Sequence, residues 1–98
     1  LTWKAITTVS GSTAVTLPSE YTELIILCGT TAGGTFTFHV PKIALSSTAK
    51  DIRDGYDSGV GTTCACKISV TNASANCVFV YVDGIDRTST VTLSVFYR

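Results

Sequence analysis

Between Asn76 and Arg98 two strongly apolar runs flank an Asp-Gly pair, and their hydrophobic patterns differ. In the second run Val91, Leu93, Val95 and Tyr97 fall on one side and Thr92, Ser94, Phe96 and Arg98 on the other, which predicts a strand with one buried face. The first run is apolar on both sides, with Cys77, Phe79 and Tyr81 opposing Val78, Val80 and Val82. Such a strand is expected to be covered twice, by a second sheet or by another chain. Val78, Val80 and Val82 are therefore the oligomer-interface candidates. Together the two runs read as the central hairpin of a β-domain, turned at Asp83-Gly84.

The same alternation extends upstream. Leu1 to Val9 reads as a strand ending in the turn Ser10-Gly11-Ser12, and Thr13 to Leu17 as a short strand stopped by Pro18. Glu23 to Gly29 is continuous and apolar, too short for a helix, and predicts a central strand covered on both faces. After the glycine turn 31–34, Phe36, Phe38 and Val40 alternate with Thr35, Thr37 and His39 until Pro41. Lys42 to Leu45 reads as a short strand or corner. The stretch 46–61 concentrates polar and charged residues, and within it Asp51 to Tyr56 suits an edge strand, where charge discourages unwanted pairing. Thr62 to Thr71 places Cys64, Cys66, Ile68 and Val70 on one face, before a turn at Asn72-Ala73-Ser74-Ala75. Seven or eight short strands with no helical periodicity predict an all-β fold, an antiparallel β-sandwich of jelly-roll-like type.

Composition narrows the function classes. The 98 residues predict one domain, able to bury roughly 65% of the extended chain's surface. Charged residues are only 14% of the chain, and seven basic side chains cancel seven acidic ones. Nucleic-acid binding depends on rows of Lys and Arg against phosphates, so no nucleic-acid partner is expected. The surface is left to Thr, Ser, Gly and Asn, which suits a structural or sugar-contacting protein, and its neutrality favours self-association. Nothing resembles a signal peptide, and no apolar run approaches the ~20 residues of a membrane helix, so no membrane insertion is expected.

Chemistry for catalysis is sparse. Cys28, Cys64, Cys66 and Cys77 match a structural zinc site in number. In an extended strand, however, Cys64 and Cys66 stand about 6 to 7 Å apart on one face, too wide for one ion with sulfur bonds near ~2.3 Å unless the strand bends. Buried free thiols behaving as small hydrophobes are the main reading, with a disulfide or a metal as alternatives. Free thiols would fit assembly in a reducing cytoplasm.

His39 is the only histidine, and no Gly-x-Ser-x-Gly elbow accompanies it. Asp51, Asp54 and Asp57 lie in a Gly- and Ser-rich segment that offers little of the burial a glycosidase acid requires, and their spacing is too sparse for a calcium loop. No enzyme, cofactor or metal is expected. Trp3, Tyr21, Tyr56, Tyr81 and Tyr97 have binding potential, since amphipathic rings stack on sugars or anchor interfaces. Tyr56 stands out because Arg53-Asp54-Gly55-Tyr56-Asp57 gives a ring little reason for burial. Arg53, Asp54, Tyr56 and Asp57 are thus the receptor-binding candidates, the charged groups bonding hydroxyls and the ring stacking.

Taken together, Trp3-Lys4, Val9-Ser10-Gly11, the run Leu17 to Leu24, Arg53-Asp54-Gly55-Tyr56, Asp83-Gly84-Ile85-Asp86 and the ending Val95-Phe96-Tyr97-Arg98 resemble the C-terminal β-domain of bacteriophage fibre and receptor-binding proteins, tail or head. The resemblance spans nearly the whole chain. It implies a single domain over 1–98 at the end of a longer fibre protein, made in the host cytoplasm and carried in the virion. It also implies a homotrimer that contacts other virion proteins and a host surface glycan or protein, or else a purely architectural trimerisation or capsid and tail decoration module. Four cysteines depart from what such a virion part would carry.

Overall fold

A computed structural model describes residues 2–31, 33–59 and 62–98, with side chains described outside 56–62. Ten strands follow in order: β1 (Lys4–Ala5), β2 (Val9–Ser10), β3 (Val15–Thr16), β4 (Glu23–Gly29), β5 (Thr35–Pro41), β6 (Lys50–Gly59), β7 (Thr62–Val70), β8 (Ser74–Val82), β9 (Ile85–Asp86) and β10 (Thr92–Tyr97). They form two antiparallel five-stranded sheets. The first runs β1-β10-β4-β5 with β2 also on β10, and the second runs β3-β8-β7-β6 with β9 also on β8. The β-sandwich that the alternation predicts is what forms. It has ten strands rather than seven or eight because the opening run splits into two bridges on β10 and because β9 is an additional short strand.

The core lies between the sheets and follows the alternation. In the first sheet the register aligns Ile26 with Val95 and Phe38, all buried. In the second, Ile68, Val70 and Val80 are fully buried. Long-range bonds close the sandwich: Tyr21 Oη donates to the Asn72 carbonyl at 2.7 Å and the Leu17 amide to Ala73 at 2.9 Å. Burial raises the Tyr21 phenol above its ordinary value. Lys42 to Leu45 is a corner, with a 3-10 turn at Lys42–Ala44, and not a strand.

The 76–98 hairpin does not form as the pattern predicts. Asp83 and Gly84 do make a tight turn, with φ of 54° and 76°, the left-handed pair that two-residue hairpins require. The arm it returns is the two-residue β9, not β10. Asp86 Oδ1 accepts from the Thr88 amide (2.9 Å) and hydroxyl (2.6 Å), and the Thr88 hydroxyl accepts from the Val80 amide (3.0 Å). A side chain thus takes the donor that would continue the ladder, and the chain leaves for the first sheet.

The doubly apolar run of β8 has a local cause. Ile68 pairs with Cys77 but Lys67 pairs with Phe79, so Val78 is the extra residue of a β-bulge. The alternation changes phase there. Ala75 and Cys77 point inward before the bulge, and Val80 and Val82 point inward after it. Of the three interface candidates, Val80 and Val82 are therefore core residues of this chain, and Val78 is half-buried at the bulge. Their covering is the chain's own first sheet.

β6 is the free edge of the second sheet, as the charge of Asp51 to Tyr56 predicts, although it runs the full ten residues Lys50–Gly59. It approaches β7 closely at Gly55, where a Cβ would come within 2.8 Å of the Cys64 carbonyl oxygen. A side chain there would force the two strands apart.

Candidate functional site

The phase change at Val78 sets up the outer face of the second sheet. It turns Phe79 and Tyr81 outward, in rows that the register defines: Arg53, Lys67 and Phe79 across three strands, then Gly55, Ala65 and Tyr81. The small residues of the second row leave Tyr81 open, 36% exposed, and its ring meets Phe79 edge-on at 5.5 Å and 65°. Arg53 and Lys67 are like charges directly opposed, an unfavourable cross-strand pair. Lys67 instead reaches Asp51 diagonally, Nζ to Oδ2 at 3.4 Å, with its ammonium 5.8 Å from the Phe79 ring centre. Arg53 stands exposed beside it. Two rings with a lysine and an arginine on one sheet face supply the chemistry for stacking on planar apolar patches and for donating hydrogen bonds around them.

The receptor candidates do not act as one group. Arg53 and Asp54 alternate on β6, so Arg53 belongs to the outer face while Asp54 aligns with buried Cys66 on the inner one. Asp54 Oδ1 accepts from the Gly55 amide at 2.8 Å and lines a cleft of about 330 Å³ between the sheets, with Phe36, Cys64, Val82 and Asp83. Tyr56 and Asp57 pair in register with Cys64 and Thr63, and their side chains lie outside the described residues.

The outer face of the first sheet is different in kind. Ile25 and Phe96 are aligned across β4 and β10, with Leu27 on the next row, and all three are partly buried on the side away from the core. At one end Glu23 gathers His39 and Arg98. Its Oε1 is bonded to His39 Nε2, its Oε2 accepts from Arg98 Nε at 3.0 Å, and the guanidinium lies 4.3 Å from the Trp3 ring centre. His39 is thus an exposed strand residue engaged with a carboxylate.

These partners, His39 and then Arg98, hold the Glu23 carboxyl below its ordinary value of 4.5. A carboxylate depressed in the folded state stabilises the fold above its unfolded value, and that contribution is lost as pH falls through the folded one. Glu23→Gln is accordingly expected to lower the urea midpoint at pH 7 and to match the parent chain near pH 3. An unchanged gap between the two proteins across that range would show that the network contributes nothing through ionisation.

One cluster escapes any reading along a single strand. Cys28 of β4, Cys66 of β7 and Cys77 of β8 are fully buried, and their sulfurs lie within 4.8 Å of one another. Hydrogen bonds with Cys28 and Cys77, reinforced by burial, push the Cys66 thiol well above the ordinary range. All four cysteines are free thiols, and Cys64, also buried, stands apart from the trio. The Cys64/Cys66 spacing that argues against a metal on one strand does not bear on this cross-sheet group.

Fold and faces together define a two-sheet antiparallel β-sandwich domain, with half-buried Ile25, Leu27 and Phe96 among hydroxyl and ionic side chains on one outer surface and aromatic rings with cations on the other. No family model, curated protein or solved structure matches the chain. Tyr81 was legible only as one of five aromatics, because the bulge that exposes it depends on the pairing of Lys67 and Ile68. Ile25 and Leu27 were legible in the double apolarity of Glu23 to Gly29.

Proposed function

We propose that the domain is a bacteriophage virion structural protein, a fibre head that self-associates as a homotrimer and attaches to a host-cell surface glycan. It acts by binding and not by catalysis. The observation that carries the reading is the open Phe79 and Tyr81 pair beside Arg53 and Lys67, since rings supply stacking area to sugar faces and the cations bond hydroxyls. The resemblance of the Trp3-Lys4, Arg53 to Tyr56 and Val95 to Arg98 segments to fibre domains supports the same assignment, as does the neutral, hydroxyl-rich composition. Of the four β6 candidates, Arg53 belongs to this face, whereas Asp54 lines the cleft between the sheets.

The cluster of Ile25, Leu27 and Phe96 on the outer face of the first sheet favours a second reading, a purely architectural trimerisation or capsid and tail decoration module that touches other virion proteins and no receptor. Binding of the purified domain to a glycan array and to host cells separates the two. The domain is expected to retain a defined glycan class, and Tyr81→Ala and Arg53→Ala are each expected to weaken retention about tenfold or more while the fold survives. Adsorption unchanged in both folded variants would remove the receptor role from this face and leave the architectural one.

A further inference from the structure

We propose that Cys28, Cys66 and Cys77 form an internal site for a soft monovalent metal ion, Cu(I), held by three sulfurs between the two sheets. The three residues come from three strands and both sheets, yet their sulfurs converge within 4.8 Å with no exposure to solvent. A three-coordinate ion with metal–sulfur bonds near ~2.3 Å sets its sulfurs about 4.0 Å apart, so the trio closes on an ion by a contraction of under about 1 Å.

A disulfide would join only two of the three sulfurs. Cys66 is registered against Val80 and Cys77 against Ile68, so these two are diagonal neighbours in one sheet, and Cys28 belongs to the facing sheet. All three are free thiols, and one ion engages all three sulfurs where a disulfide would leave the third unpaired.

The donor set selects the metal. Thiolates prefer Cu(I), zinc or iron–sulfur clusters. Structural zinc takes four ligands, and among the described residues no fourth His, Cys, Asp or Glu atom joins the trio. Cu(I) is satisfied by three sulfurs. Binding converts two of the three thiols to thiolates and releases two protons to solvent. Retaining the third sulfur as a thiol limits the buried charge of the complex to one negative unit, which the apolar surroundings favour. Because the trio is fully buried, the ion enters as the sheets close, during folding.

The test refolds the whole domain from denaturant without oxygen, with one equivalent of Cu(I) supplied as its acetonitrile complex, and then dialyses it against a Cu(I) chelator. One copper per chain is expected to remain, with an X-ray absorption spectrum of three sulfur neighbours and a raised thermal midpoint. Cys64→Ser is expected to retain the copper, and Cys66→Ser to bind about a hundredfold more weakly. The sulfur count in the parent protein decides independently of whether Cys66→Ser folds. Copper lost to the chelator, fewer than three sulfurs, loss in Cys64→Ser alone, or zinc retained where copper is not would each overturn the assignment.

Discussion

Val80→Asp is expected to abolish the folded state. Val80 is fully buried between the sheets, in a core that holds no buried polar or charged residue among those described, so the substitution places an unpaired carboxylate there and also removes two methyl groups. An uncompensated buried charge costs on the order of several kcal/mol, and a 98-residue domain has a total stability of only about 5–15 kcal/mol. The measurement is urea unfolding followed by circular dichroism, with no cooperative transition expected. Tyr81→Asp, one residue along the strand, supplies the contrast. It faces outward and is expected to shift stability by under about 1 kcal/mol. The pair tests the bulge directly, because an unbroken alternation from Cys77 would bury Tyr81 and expose Val80, reversing the two outcomes.

The second large effect concerns assembly. Leu27→Asp on the outer face of the first sheet is expected to leave the fold intact and to dissociate the proposed trimer. Leu27 lies on the side of β4 opposite the core residues Ile26 and Cys28, and its cross-strand neighbours are Ser94 and Thr37. A carboxylate there stays hydrated in the isolated chain. In a self-associated face three like charges would be brought together and stripped of water, at a cost larger than the loss of one leucine contact. Ile25→Asp, beside Phe96, is expected to act in the same way. Gel-filtration mass with the circular dichroism spectrum as a folding control reads both. A variant that unfolds instead would show that this face is needed within one chain.

What was legible in the sequence was whatever depends on one strand at a time. The alternations of Thr35 to Val40 and of Val91 to Tyr97 give their buried faces directly, and the double apolarity of Glu23 to Gly29 marks β4 as central. The charged stretch around Asp51 marks the edge strand. Features that depend on pairing were not legible. The bulge at Val78 exists only in relation to Lys67 and Ile68, so Val80 and Val82 read as an outer surface when they are core. The departure of β10 to the other sheet depends on Thr88 capturing the Val80 amide, a contact eight residues long that no hydrophobic pattern records. Arg53 and Asp54 read as neighbours in one site, yet strand geometry sends them to opposite faces. The cysteine trio joins three strands from two sheets, so spacing along the chain carries no trace of it.

Self-association through the first sheet is tested most directly by the mass of the domain in solution, measured by light scattering under reducing conditions over a range of concentrations. One chain weighs 10.3 kDa. The fibre-head proposal predicts a mass of three chains for the parent protein and one chain for folded Leu27→Asp. A parent protein that remains at the mass of a single chain at every concentration would contradict it.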